Sequence, residues 1–209
     1  GTPTTFTITV NPTPTVNVVA NQVLCNGSST TAVTFTGAVA GTVYSWTNTT
    51  TSIGLVASGT GNIASFTAVN NGAAPVVATI TVTPSANGCS GTPRTFTITV
   101  NPTPTVNAVS NQVICNGSNT TAVAFSGAVT GTVYSWTNNT TSIGLAASGT
   151  GNIASFAAVN TGTTPVTATI TVTPSYTNGG VTCTGTPTTF TITVNPTPTV
   201  NVVANQVLC

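Results

Sequence analysis

Five cysteines are the only side chains in this 209-residue chain whose type and spacing invite covalent chemistry. They stand at Cys25, Cys89, Cys115, Cys183 and Cys209, and the chain around them is nearly repetitive. Cys25 and Cys115 hold equivalent positions in two consecutive repeats, Cys89 and Cys183 do so further on, and Cys209 repeats Cys25 once more. Two cysteines per repeat is the arithmetic of one disulfide per repeat, which belongs to an oxidising compartment. Pairing inside each repeat joins Cys25 to Cys89 and Cys115 to Cys183, leaving Cys209 to pair outside these residues. Each bond then closes a loop of roughly 65 residues, worth on the order of 4 kcal/mol in the chain-entropy model. An alternative stays open. In a simple sandwich the two loops that carry the cysteines lie at opposite poles, so the intrarepeat pairing requires Cys25 to sit within or alongside a strand; if it does not, Cys25 could instead meet Cys183 as a staple between repeats. Zinc is a poor reading of the same residues, because each repeat offers two Cys and no His.

Other chemistry is closed off by composition. Asp, Glu, His and Lys are absent, and Arg94 is the only charged side chain. General acid–base catalysis needs a group that titrates near working pH, and a Ser or Thr nucleophile needs a neighbouring base. Calcium needs carboxylates, and a nucleic-acid surface needs clustered Lys or Arg. The reading is therefore a non-enzyme with no cofactor, no metal and no nucleic-acid partner. Arg94 is replaced by Thr4 and Thr188 at the matching positions, which makes it an incidental surface residue.

The elements that position the cysteines follow from the repeat. Residues 1–10 return at 91–100 and 185–194, so the period is 90 and then 94 residues, too long for a solenoid unit. Residues 1–85 and 91–175 are identical at 70 of 85 positions, and 1–25 are identical to 185–209. Within one period apolar residues alternate with Thr, Ser or Asn, as in Phe6-Thr-Ile8-Thr-Val10, the signature of a half-buried strand. Strands are expected at 15–19, 31–36, 42–48, 62–69, 75–83 and 95–100, with a shorter one near 53–57. Turn residues such as Asn87-Gly88 stand between them. About seven short strands per repeat point to an all-β fold of tandem immunoglobulin-like antiparallel sandwiches. Alternation also selects a core of Tyr44, Trp46, Phe66 and Ile80, with Tyr134, Trp136, Phe156 and Ile170 as counterparts. Phe6, Ile8, Val82 and Phe190 complete the expected core.

Proline cannot continue a central strand, so Asn11-Pro-Thr-Pro-Thr15 and its copies from Asn101 and Asn195 mark short linkers. Complete domains are expected at 12–101 and 102–195. Residues 1–11 read as the last strand of a preceding repeat and 196–209 as the opening of a following one. No apolar run approaches the length of a membrane span.

The segments Asn21-Gln-Val-Leu-Cys-Asn-Gly27, Gly41-Thr-Val-Tyr-Ser-Trp-Thr-Asn48, Gly59-Thr-Gly-Asn-Ile-Ala-Ser-Phe66 and Ala78-Thr-Ile-Thr-Val-Thr-Pro84 carry a resemblance. They resemble the PKD-like repeats of very large secreted surface proteins of Bacteroidota, gliding-motility adhesins among them. The resemblance implies type IX export, a place at the cell surface and a role in a long adhesin or filament stalk. True PKD domains carry Trp-x-Phe-Gly-Asp-Gly where this chain has Trp46-Thr-Asn-Thr-Thr-Thr51, so no ligand site carries over.

Two functions remain in view. One is a structural repeat of an extracellular filament or adhesin stalk, with neighbouring repeats as partners and lateral self-association into fibres favoured by the lack of repelling charge. The other is a multivalent module that adsorbs to a surface or glycan through exposed rows such as Thr5, Thr7 and Thr9, or Thr79, Thr81 and Thr83.

Overall fold

A computed structural model describes residues 1–209. The chain divides into two compact units. The first is Gly1–Thr103 together with Thr177–Cys183, and the second is Pro104–Tyr176 together with Thr184–Cys209.

In the first unit the strands are β1 (Gln22–Cys25), β2 (Val43–Asn48), β3 (Ser58–Thr60), β4 (Val76–Ala86), β5 (Cys89–Ser90) and β6 (Arg94–Asn101). They form one sheet in the order β1-β6-β4-β2-β3, with β5 returning along β4. All pairings are antiparallel except β1 with β6, which run parallel from Gln22↔Ile98 to Cys25↔Asn101. Period-two alternation turns Ala78, Ile80 and Val82 of β4 and Phe96, Ile98 and Val100 of β6 inward. Against them lies a second layer of extended segments, joined by the isolated bridges Ser29↔Thr67 and Val33↔Ile63 and by Asn17 N–H donating to Thr36 O at 2.8 Å. This layer contributes Val16, Val33, Phe35, Ile63 and Ala68 to the same core, which makes the unit an immunoglobulin-like sandwich.

The second unit repeats the plan with β7 (Gln112–Cys115), β8 (Val133–Asn138), β9 (Ser148–Thr150), β10 (Val166–Asn178), β11 (Val181–Thr184) and β12 (Thr188–Asn195). The sheet order is β7-β12-β10-β8-β9, with β11 along β10. The main difference is the hairpin: β10 has 13 residues where β4 has 11, and β11 has four where β5 has two. Both hairpins turn on two residues of positive φ, Asn87-Gly88 (49° and 77°) and Gly179-Gly180 (58° and 78°), the primed geometry that matches strand twist.

Buried polar positions are filled by amides and hydroxyls whose partners, Asn101 apart, are backbone groups. Asn48 Nδ2 donates to Leu55 O at 2.9 Å while its Oδ1 accepts from Thr50 N at 3.0 Å. Asn70 Nδ2 donates to Val100 O at 2.7 Å and its Oδ1 accepts from Gly72 N at 2.9 Å. Trp46 lies over Gly59, where any Cβ would overlap the indole, and its Nε1 donates to Gly61 O at 3.1 Å. Trp136 keeps the same place over Gly149, but its Nε1 has no partner.

Several expected elements differ. Residues 15–19, 31–36 and 62–69 form no ladder, being held by isolated bridges, scattered backbone hydrogen bonds and side-chain bonds. Residues 53–57 are not a strand. Thr51–Ile53 make a 3₁₀ turn ended by Gly54 at φ 96°, and the chain rejoins the sheet only at Ser58. Of the core candidates, Trp46, Ile80, Val82, Trp136, Ile170 and Phe190 are buried, whereas Tyr44, Phe66, Tyr134 and Phe156 are half-buried at its margin. Phe6 and Ile8 are a correction, being 84% and 78% exposed. Their equivalents Phe96 and Ile98 are covered because β6 has β4 beside it; residues 1–10 join no sheet.

Candidate functional site

No group of three or more His, Cys, Asp or Glu side chains comes together in a metal-binding arrangement. What the fold builds is one disulfide. Cys25 is bonded to Cys183 with their Cα atoms 5.6 Å apart, well inside the ordinary range. The intrarepeat pairing of Cys25 with Cys89 and Cys115 with Cys183 is therefore corrected, and Cys89, Cys115 and Cys209 are free.

The reason lies in strand direction. Because β1 runs parallel to β6, Cys25 sits beside Asn101, at the strand's far end. Cys89 sits in the hairpin just before Arg94, at the near end. Eight residues of β6 separate the two, roughly 23 Å at 3.3 Å per step, beyond the reach of a disulfide.

Thr177–Cys183, which completes the first unit, instead brings its cysteine to the right end. Asn101, wholly buried, donates Nδ2 to Asn178 O at 3.1 Å, and Asn178 Nδ2 donates back to Asn101 Oδ1 at 2.8 Å. Gly179 lies against Val23, where an added Cβ would come to 3.0 Å of the valine methyls. Thr177 and Thr182 join hydroxyls across the hairpin at 2.8 Å. Sulfur, amide and glycine thus meet β1 and the end of β6 together.

A second feature is the outward face of the sheet. Register places Ser45 opposite Thr83, Thr47 opposite Thr81, Thr81 opposite Thr95 and Thr79 opposite Thr97. These hydroxyls form a continuous three-strand array, and Ser135, Thr137, Thr169, Thr171, Thr173, Thr189 and Thr191 repeat it in the second unit. Of the rows expected to be exposed, Thr5, Thr7 and Thr9 are open to solvent on a segment without a sheet, while Thr79, Thr81 and Thr83 are half-buried within the array.

Grooves are shallow, and the amide side chains that line two of them are already engaged. One runs along residues 18–22 and 31–34, and the equivalent runs along 108–112 and 121–124. There Gln22 Nε2 donates to Thr31 O at 2.8 Å and Gln22 Oε1 accepts from Thr31 N at 2.9 Å. Asn21 Oδ1 accepts from Thr97 N at 2.8 Å, taking the place of a strand neighbour beyond the end of β1. Arg94 borders a cleft with Thr13, Pro14, Thr15, Val16, Thr92 and Pro93, and has no acidic side chain to pair with because the sequence contains no Asp or Glu.

With that geometry in place, the class of protein is clear from its sandwiches: the chain belongs to the PKD-like domain family, whose model matches residues 22–104 and 112–198. No curated protein matches it. Among solved structures it is similar to human protocadherin-24 EC1-2, at 14% identity and a TM-score of 0.47, over 90% of this chain and 100% of that one. It is also similar to Dpr2 Ig1-Ig2 in complex with DIP-Theta Ig1-Ig3, at 9% identity and a TM-score of 0.38, over 88% of this chain and 67% of that one.

Proposed function

We propose that this chain is a non-catalytic structural section of an extracellular filament or adhesin stalk, built from repeats at 12–101 and 102–195. One observation carries the reading: the only disulfide spans 158 residues of sequence and ties the β1 cysteine of one repeat to the hairpin of the next. A bond with that reach reinforces the succession of repeats, which is what a load-bearing thread needs and what a self-contained binding module does not. The bond also favours an oxidising location outside the cytoplasm. The single charged side chain leaves no acid, base or basic surface for catalysis or nucleic acid. Type IX export and a gliding adhesin as parent agree with the resemblance noted above. Electron microscopy of the parent protein on its native cells tests the proposal. Threads with a regular beading of one bead per repeat are expected, and compact particles without threads would overturn it.

The hydroxyl array favours a second reading, adsorption of many repeats to a polymer or glycan surface. Thr is also well suited to any exposed strand face, so the array is equally at home in a passive stalk. Binding to insoluble polysaccharide by the chain, abolished when Thr81 and Thr97 are changed to Lys, would support adsorption; no retention would remove it.

A further inference from the structure

The place that receives the hairpin tip in the first unit exists a second time and is open. Around Cys25, Val23 is half-buried and Asn101 is fully buried. Around Cys115, the equivalent Val113 is 68% exposed, the thiol is free and exposed, and Asn195 is half-buried. The backbone is nevertheless the same, since β7 pairs with β12 in the parallel register that sets Cys115 beside Asn195. The receiving surface is therefore formed whether or not a hairpin lies on it.

The complementary half is present too. Cys89 is the equivalent of Cys183 on a hairpin tip, free and half-buried. Its turn is met by Asn11, the equivalent of Asn101, whose Nδ2 donates to Asn87 O at 3.0 Å. Asn101 makes the same bond to Asn178 O at 3.1 Å. Both hairpin tips are thus held by the asparagine that precedes a Pro-Thr-Pro segment.

We propose that Cys115 and Cys89 are the two halves of a further disulfide of the Cys25–Cys183 kind, formed head to tail with another PKD-like repeat. Cys115 receives the hairpin cysteine of one neighbour, and Cys89 is received by the β1-type cysteine of another. Between separate molecules, a second copy of this chain supplies either half, its Asn195 displacing Asn11 from the Asn87 turn. The oxidant is a small-molecule disulfide. The Cys115 thiolate attacks one of its sulfurs, releasing a thiol and leaving a mixed disulfide; the Cys89 thiolate then attacks the Cys115 sulfur and expels the second thiol. Two protein thiols are oxidised, and one small disulfide is reduced to two thiols.

The test incubates the whole chain with reduced and oxidised glutathione and reads non-reducing gels and peptide maps. A ladder of covalent oligomers is expected, in which the Cys115–Cys89 peptide outweighs any Cys209 cross-link by about tenfold, the factor that 1.4 kcal/mol of docking supplies. Cys209 is an exposed thiol outside any sheet and so reports random oxidation. Cys115→Ser and Cys89→Ser each stop the ladder, but the two variants mixed give a single dimer band and nothing longer. Asn195→Ala, which keeps the thiol, lowers the yield several-fold. Retention of the Cys25–Cys183 peptide in every variant shows that the fold is intact. Glutathione adducts alone, equal cross-linking through Cys209, or a yield indifferent to Asn195→Ala would each overturn the proposal. These outcomes are independent of the stalk reading, which microscopy decides.

Discussion

Asn101 and Asn178 exchange hydrogen bonds through both of their side-chain amides, although 77 residues separate them in sequence. Asn101 is fully buried and Asn178 half-buried, so removing the Asn101 amide leaves the Asn178 side chain short of its acceptor and the Asn178 carbonyl short of its donor. Asn101→Ala should cost about 1–3 kcal/mol, and hydrogen exchange should show the Thr177–Cys183 tip losing protection before the sheets do.

Reduction of the disulfide should have a larger effect on the same tip. For a loop closed between positions 158 residues apart, the chain-entropy model gives about 5 kcal/mol. Chemical unfolding with and without reductant checks this, and Cys25→Ser should reproduce the reduced curve. Cys89→Ser should leave unfolding of the monomer unchanged, because that thiol is unbonded.

Gly59 is required by its neighbour, since a Cβ there would run into the Trp46 ring. Gly59→Ala should destabilise the first unit by about 1–3 kcal/mol and shift tryptophan fluorescence, as overpacking forces the indole from its site. Gly149→Ala should do the same to Trp136.

Stability should hardly respond to pH. Linkage makes the slope proportional to the difference in bound protons between unfolded and folded chains. With no Asp, Glu or His, that difference is close to zero from about pH 4.5 to pH 7, so the unfolding midpoint should stay level across this window. Added salt should likewise leave any association between copies unchanged, whereas a charge-driven association would weaken.

The long strands are legible in the sequence because their alternation is long. Expected strands at 42–48, 75–83 and 95–100 correspond to Val43–Asn48, Val76–Ala86 and Arg94–Asn101, where Thr and apolar residues alternate over six to eleven positions. Gln22–Cys25 gives no such signal. It has four residues, and its partner lies some 76 positions away in a parallel pairing that no local pattern announces. The same silence hides the disulfide, because only the β1–β6 register shows which pole Cys25 occupies. Residues 53–57 mislead for a different reason: Gly54 takes a left-handed conformation that ends the 3₁₀ turn and delays the return to the sheet.

Pulled from its two ends, the chain holds in reserve everything between Cys25 and Cys183. Even if every strand inside that loop came apart, the sulfur–sulfur bond would keep roughly 500 Å of extended backbone from being released. Reductant, and not force alone, would set its extensibility.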